Sequence, residues 1–310
     1  FAFPFRVLAL RQLLRRHRID LAVGVTTLPA VKLLLATVGL SIRTVVSERN
    51  YPPAKPPSLL WRWLRRFTYP WADLHLVQTR QIGTWLRLHC GVSRQLLLPN
   101  SVTWPLPDRE PLIDPDDWLP PQYPLLLAAG TKANQKGFDL LMPVFVELGR
   151  RDSSLHLALL GLAPGRYRGL DQQAWLRQLL ENEPDLQQRL LLPGVSGSMA
   201  SWYKRANIFV LPSRYEGFPN VLLEAMSAGC ACIASDCLTG PADLIRHGEN
   251  GLLLSPQATT TDWVEAIAGL LADPNRCLQL GEKAMEVRER YDALRLRRDF
   301  LEALRKLHHG

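Results

Sequence analysis

The stretch IFVLPSRYEGFPNVLLEAMSAGCACIASDCLTGPADLIRHGENGLLL, residues 208–254, decides the fold that we predict. Its apolar run at Ile208–Leu211 is typical of a buried strand, and the polar residues 212–217 predict a loop. Pro219 stands where a helix would begin and Gly229 where that helix would end. A strand, a loop and a helix in this order form one unit of a parallel α/β sheet, and such sheets bind ligands at the carboxyl ends of their strands.

The same alternation of short apolar runs and helical patterns continues on both sides. The predicted strands are Asp20–Val25, Arg43–Ser47, Leu74–Gln78, Leu96–Pro99, Leu125–Ala129, His156–Gly161, Leu190–Pro193, Ile208–Leu211, Cys230–Ala234 and Gly251–Leu254. A proline- and aspartate-rich segment over 104–124 predicts a linker between the fourth and fifth strands. Because 310 residues exceed the usual size of one core, we predict two doubly wound α/β domains, residues 1–118 and 119–310.

The composition excludes several classes of protein. With 47% hydrophobic and 21% charged residues, the chain is neither disordered nor collagen-like. Its five cysteines lack framework spacing, which predicts a reducing compartment without structural disulfides. The longest apolar stretch, Leu28–Leu40, is too short to cross a bilayer, so no transmembrane helix is expected.

Positive charge is concentrated in the first third of the chain. Residues 1–107 carry 15 Lys and Arg against three acids, or +12, whereas the remainder carries −4. We therefore expect an anionic partner for this region: a membrane surface, a phosphorylated acceptor or nucleic acid. Nucleic acid is not favoured, because the sequence has no helix-turn-helix, zinc or RNP pattern.

Aromatic and arginine residues alternate over Trp61–Phe67. One interpretation is an amphipathic helix packed on its own sheet through Leu60, Leu64 and Phe67. The other is contact with anionic lipid head groups or a lipid-linked diphosphate.

Two carboxylates mark the segment quoted first. Glu216 lies in the loop and Glu224 in the following helix, among apolar neighbours. A structural interpretation makes Glu216 a helix cap and Glu224 half of an ion pair. A functional interpretation makes both carboxylates acceptors for ligand hydroxyls. Free backbone N–H groups from Phe218 to Leu222 and the helix dipole would together favour a phosphate or a polyhydroxylated group.

This segment resembles the nucleotide-sugar site of retaining glycosyltransferases of family four, which have the GT-B fold. The shared pattern is Pro212-Ser213, then EGFPN at 216–220, seven residues between Glu216 and Glu224, and GENGL at 248–252. A second match is Lys136-Gly137, in the loop after the fifth predicted strand. The resemblance implies two Rossmann-like domains facing a cleft, with helices beyond residue 284 crossing back to the first domain.

The resemblance also assigns roles. Lys136 would neutralise the departing diphosphate and Glu216 would bind the hydroxyls of the transferred sugar, so these two are the catalytic candidates. Thr131 stands where the family has an arginine, and Lys132 could replace that charge. The donor-binding candidates are Thr131, Lys132, Gly217, Phe218, Pro219, Asn220, Val221, Leu222 and Glu224, the last of them for the nucleotide ribose.

The first domain matches the family less closely. Ser47–Asn50 resembles an acceptor-side loop without the family's histidine, which leaves Glu48, Arg49 and Asn50 as acceptor-side candidates. Leu98-Pro99-Asn100 matches a family Ile-Pro-Asn run. The family's first strand and Gly-rich loop are absent, so we expect an incomplete first domain, truncated at its N-terminus.

The expected function is transfer of a hexosyl or N-acetylhexosaminyl group, with retention, from a nucleoside-diphosphate sugar to an acceptor hydroxyl in envelope-glycan or lipid-linked oligosaccharide synthesis. The turn at Thr239–Pro241 resembles that of relatives that use UDP sugars. No obligatory cofactor and no metal site are expected, because Asp114-Pro115-Asp116 lies in the predicted linker. The expected location is the cytoplasm, with the cytoplasmic face of the membrane as a candidate. The alternatives are a non-catalytic sugar-nucleotide or membrane-surface binding module and a sugar-nucleotide epimerase.

Overall fold

The computed structural model describes residues 2–54, 56–162, 164–167 and 169–309. The chain folds as two compact units. The first unit contains Phe1–Ser101 and Ala293–Gly310, and the second contains Val102–Asp292. The last helix of the chain thus belongs to the first unit.

The first unit is built on a parallel sheet of four strands in the order β1-β2-β3-β4. These strands are β1 (Leu21–Val25), β2 (Arg43–Glu48), β3 (Leu74–Val77) and β4 (Gln95–Leu97). The helices of this unit are α1 (Ala2–Arg16), α2 (Thr27–Thr37), α3 (Leu59–Thr68), α4 (Arg80–Cys90) and the final helix α14 (Ala293–His309). All four strands predicted for this half are present.

Both faces of this sheet are covered. On one face Leu34 of α2 and Ile82 of α4 pack in a common core with Val46 of β2. On the other, Leu304 of α14 packs against Val45 and its neighbours. A parallel sheet covered in this way needs strands that are apolar on both sides, which explains the continuous apolar runs in the sequence.

The second unit contains six parallel strands and one small antiparallel hairpin. The sheet order is β12-β11-β10-β5-β6-β9. Its strands are β5 (Leu125–Ala129), β6 (His156–Leu160), β9 (Leu190–Gly194), β10 (Ile208–Leu211), β11 (Ala231–Ser235) and β12 (Leu252–Leu254), and the hairpin is β7 (Arg166–Tyr167) with β8 (Leu170–Asp171). The six sheet strands were all predicted; the hairpin was not, because two-residue strands leave no periodicity to detect.

Helices flank this second sheet. They are α5 (Phe138–Arg151), α6 (Gln172–Gln178), α7 (Pro184–Arg189), α8 (Met199–Arg205), α9 (Asn220–Ser227), α10 (Pro241–Leu244), α11 (Thr260–Leu271), α12 (Pro274–Ala284) and α13 (Val287–Arg290). Helices α5 to α10 lie in the connections between its strands, and α11 to α13 follow the last strand. Among the described residues no helix combines the length and apolarity needed to span a bilayer.

The strand order places a switch point between β5 and β10. From β5 the chain continues to β6 and β9 on one side, then returns to β10 on the other. The connections after β5 and β10 therefore diverge and leave a crevice at the carboxyl ends of these two strands.

The predicted linker is part of the second unit. Val102 forms a bridge with Asp292, and the backbones of Arg109 and Gly197 are hydrogen-bonded at 3.1 Å. The indole of Trp202 donates to the carbonyl of Ile113 at 2.9 Å. The predicted boundary at residue 118 is therefore too late, because these irregular residues gain their hydrogen bonds from the second unit and the division falls at residue 101.

We predict opposite effects for one substitution at two helical glycines. A Cβ on Gly281 of α12 would lie 2.1 Å from the carbonyl oxygen of Gly229, a backbone atom, whereas a Cβ on Gly269 of α11 would meet nothing within 4 Å. Gly269→Ala should raise the free energy of unfolding by roughly 0.5–1 kcal/mol through helix propensity. Gly281→Ala should lower it by about 1 kcal/mol or more through overpacking. Urea unfolding of both variants checks this, and equal signs would contradict it.

Candidate functional site

The loops after β5 and β10 contact each other at the switch point through backbone and side-chain atoms. Gly137 has a φ of +67°, and a Cβ there would lie 2.0 Å from the carbonyl oxygen of Pro212. The backbone N–H of Arg214 donates to the carbonyl of Gln135 at 2.9 Å. The Arg214 guanidinium also donates to both oxygens of Asp139 at 2.7 Å each. Only glycine fits at position 137, and the bidentate pair fixes the relative position of the loops.

Lys136 and Glu216 meet between these loops. Lys136 Nζ lies 2.7 Å from Glu216 Oε1, and the two side chains are 12% and 6% exposed. The hydroxyl of Ser213 donates to the same carboxylate oxygen at 2.6 Å. The aliphatic part of Lys136 lies against Gly130, where a Cβ would come within 2.5 Å of Cγ. The structure thus brings the two catalytic candidates together, with both side chains largely shielded from solvent.

The backbone of the Glu216 loop is held from the other side by the turn after β11. The Thr239 hydroxyl donates to the carbonyl of Glu216. Gly240, with a φ of +98°, packs against Pro219, where a Cβ would lie 2.6 Å from Cδ. The turn that suggested a UDP donor in the sequence therefore contacts the Glu216 loop directly.

Helix α9 begins at Asn220, one residue after Pro219, and Gly229 follows its end with a φ of +81°. The N–H groups of Leu222 and Leu223 both donate to the carbonyl of Pro219 at 3.1 Å. The predicted run of free amides from Phe218 to Leu222 is therefore too long, because Leu222 is already bonded and proline has no N–H. Pro219 itself provides no side-chain cap for the helix.

Glu224 lies on α9 with a tyrosine as its hydrogen-bond partner. The hydroxyl of Tyr203, which is 1% exposed, donates to Glu224 Oε2 at 3.1 Å. Burial raises the pKa of Glu224, while the Tyr203 hydrogen bond and the charges of Arg109 and Lys136 act in the opposite direction. The structural interpretation of the two glutamates is wrong: Glu216 forms the ion pair instead of a cap, and no ion pair of Glu224 occurs in the described part of the chain.

The loop after β5 is shaped by a residue that the sequence analysis missed. Buried Gln172 accepts a hydrogen bond from the Ala133 N–H at 2.8 Å and donates to the carbonyl of Thr131 at 3.2 Å. The side chains of Thr131 and Lys132 are exposed at the edge of the loop. Gln172 lies about forty residues from these partners, so no local pattern could have indicated it.

The acceptor-side candidates lie at the end of β2 in the first unit. Glu48 is 2% exposed and accepts hydrogen bonds from Tyr69 at 2.9 Å and Thr27 at 3.2 Å. Burial raises the pKa of its carboxyl. Arg49 is exposed and donates to Asn100 at 2.6 Å. Glu48 is therefore enclosed by its own unit, whereas Arg49 and the half-buried Asn50 lie at its surface.

The Asp114-Pro115-Asp116 pattern forms a turn and not a cluster of metal ligands. Asp114 accepts a hydrogen bond from the N–H of Asp116 at 2.9 Å and caps a short 3₁₀ turn. In the described ranges no group of three or more His, Cys, Asp or Glu side chains could hold a metal ion.

Residues 123–273 match the family described as Glycosyl transferases group 1. The match contains the loops after β5 and β10, with Lys136, Glu216 and Glu224. The matched residues all lie within the second unit.

Two curated relatives extend the similarity. The chain is 30% identical over 284 residues to an exopolysaccharide phosphotransferase of Streptomyces coelicolor. The aligned region covers 89% of this chain and 27% of that protein. It is 53% identical over 55 residues to a lipopolysaccharide 1,6-galactosyltransferase of Salmonella typhimurium, which covers 18% of this chain and 15% of that protein. The chain thus spans well under half the length of these relatives.

Among solved structures, HepE of Anabaena in complex with UDP has a TM-score of 0.82 at 18% identity, over 97% of this chain and 82% of that one. This likeness and the two parallel α/β sheets confirm the predicted GT-B fold class.

We predict that the Lys136–Glu216 pair is strongly coupled. Because both groups are nearly buried, Lys136→Met or Glu216→Gln alone leaves the remaining charge without its counter-ion and should lower the free energy of unfolding by about 3 kcal/mol. The double variant should cost less than the sum of the two. The exposed Lys306–Glu302 pair, 2.7 Å apart, is the matched control, and its single variants should change stability little. Additive costs at 136 and 216 in urea unfolding would refute the coupling.

We predict that Glu224→Gln stabilises the fold at neutral pH. The folded state raises the pKa of Glu224 above its ordinary value of 4.5, so it binds this proton more tightly than the unfolded chain does. Wild-type stability therefore falls as the pH rises from below 4.5 through the raised pKa, and the variant lacks this loss. The difference in melting temperature between Glu224→Gln and the wild type should therefore increase as the pH rises through the raised pKa. Glu265→Gln, at an exposed carboxylate on α11, serves as control, and an advantage independent of pH would contradict the assignment.

Proposed function

We propose that this protein transfers a hexosyl or N-acetylhexosaminyl group from a nucleoside-diphosphate sugar to an acceptor hydroxyl, with retention of configuration. The observation that carries the proposal is the Lys136–Glu216 ion pair at the switch point, inside the glycosyltransferase match. A crevice at this place of a doubly wound sheet is the expected ligand site.

The chemistry follows from charge. When the bond between the sugar and the diphosphate breaks, negative charge develops on the departing oxygen. The Lys136 ammonium and the amino end of α9 would stabilise this charge, with Lys132 as a second cation at the rim. These groups act without a metal ion.

The carboxylates would select the donor. Glu216 keeps a charged partner beside it, so it can accept hydrogen bonds from sugar hydroxyls as a carboxylate. Glu224 lies on the helix that follows and would accept from the ribose hydroxyls. Gly217 and Phe218 present backbone to the sugar, because glycine allows close approach.

Donor and acceptor classes are supported by different observations. The turn at Thr239–Pro241 contacts the Glu216 loop, and a structural relative holds UDP, so we propose a UDP sugar. A relative in lipopolysaccharide synthesis and the basic first unit favour an envelope glycan or a lipid-linked acceptor. We place the reaction in the cytoplasm, where the free cysteines of the chain stay reduced.

We predict that UDP raises the melting temperature more than GDP or ADP does. UDP at about 100 times its dissociation constant should add about 2.7 kcal/mol of stability. Lys136→Ala or Glu224→Ala should weaken UDP-sugar binding or turnover at least roughly tenfold, about 1.4 kcal/mol. Lys283→Ala, at an exposed lysine, is the control variant. Unchanged kinetics in both site variants would refute the proposed roles.

Product analysis separates the alternatives. Release of UDP coupled to a new glycosidic bond supports transfer. Conversion of the donor to its epimer without an acceptor would identify an epimerase. UDP binding without turnover, with a range of acceptors supplied, would identify a binding module.

A further inference from the structure

Helix α3 turns its large apolar side chains towards solvent. Leu60, Trp63 and Phe67 are 63%, 59% and 59% exposed, whereas Arg65 on the opposite side is 4% exposed. The prediction that Leu60, Leu64 and Phe67 pack together on the sheet is therefore wrong for two of the three. Only Leu64 packs against the core. The inward face of α3 is set instead by Arg65, which lies above the Trp85 ring at 4.7 Å.

The exposed apolar residues lie on one side of α3, with exposed arginines beside them. The rings of Trp63 and Phe67 stack with centroids 5.7 Å apart. Leu59, in the first turn, is 68% exposed. Arg62 and Arg66 are exposed on the same helix. We call Leu59, Leu60, Arg62, Trp63, Arg66 and Phe67 the α3 face.

A groove of about 620 Å³ opens between the α3 face and α4. Three arginines line it, Arg62, Arg65 and Arg66, together with Trp85, and no carboxylate is among its described lining residues. The Nε atom of Arg65 is buried and has no hydrogen-bond partner in the described part of the chain. Such a groove suits an anionic group, because guanidinium donors are present in excess over acceptors.

The surrounding sequence carries almost no negative charge. Between Glu48 and Asp108 the only acid is Asp73, which is paired with Arg43 at 3.1 Å, and Glu48 itself is buried, with the charge of Arg65 acting on it. A second copy of this face would bring like charges together, which disfavours self-association. An apolar face of Trp, Phe and Leu beside arginines is instead the composition of helices that lie in membrane interfaces.

We propose that the α3 face docks on an anionic membrane surface. Leu59, Leu60, Trp63 and Phe67 enter the boundary between head groups and acyl chains, and Arg62 and Arg66 contact lipid phosphates. The groove, with Arg65 at its base, receives one phosphate head group. This surface belongs to the first unit and is independent of the proposed transfer reaction.

Vesicle co-sedimentation of the 310-residue chain tests the proposal. We expect binding to phosphatidylcholine vesicles that contain about one third phosphatidylglycerol, weak binding to phosphatidylcholine alone, and loss of binding with added salt. Two double variants should each weaken binding at least roughly tenfold: Trp63→Ala with Phe67→Ala, and Arg62→Gln with Arg66→Gln. Leu278→Ala with Arg177→Gln, at exposed positions of the second unit, is the matched control and should bind as wild type does.

Three results would overturn the proposal. One is equal affinity for the two kinds of vesicle. Another is that inorganic phosphate raises the melting temperature of the wild type but not of the Arg62→Gln, Arg66→Gln double variant, while the wild type does not bind vesicles. That result would assign the groove to free phosphate. The third is that light scattering shows a dimer of the wild type, that the Trp63→Ala, Phe67→Ala double variant is monomeric, and that the wild type does not bind vesicles. Stabilisation by UDP is measured in the same variants; its retention shows that a loss of vesicle binding is separate from the donor site.

Discussion

The parallel pairing of β5 with β10 is the constraint on which the site depends. Leu126 is in register with Ile208 and Leu127 with Phe209, so the two strands end at one edge although about eighty residues separate them. Both strands are fully buried, which makes their register hard to shift. The contacts between the Lys136 loop and the Glu216 loop follow from this pairing, because it brings both loops to the same place.

The sheet strands and the two site loops could be predicted because their signals are local. A strand buried on both faces is a short apolar run, and the two loops carry short motifs of the resembled family, Lys136-Gly137 and EGFPN at 216–220. The side chains that complete the site could not be predicted, since Gln172, Tyr203 and Arg109 reach it only through the tertiary fold. The segment 102–118 was misassigned for the same reason: its proline-rich pattern indicates irregular backbone but not which unit supplies its hydrogen-bond partners.

The three glutamates show how environment separates identical side chains. Glu216 is compensated by an ammonium, whereas Glu224 and Glu48 each rest against a tyrosine hydroxyl in a buried setting. Burial raises the pKa of the latter two carboxyls, and it also raises the pKa of Tyr203 and Tyr69 well above the ordinary value.

Helix α3 shows what a sequence pattern leaves undetermined. Its amphipathic spacing was evident, but which face turns inward was decided by Arg65 and its contacts with α4 and α2.

The ion pair between Lys136 and Glu216 has a consequence for the reaction that we propose. Because the carboxylate already neutralises the ammonium, a diphosphate that approached Lys136 would gain only the difference between two counter-ions. Under the proposed function, Glu216 would therefore compete with the nucleotide for Lys136. It would lower the affinity for both donor and released nucleotide and would pair with Lys136 again as the product leaves, which favours repeated turnover over tight retention.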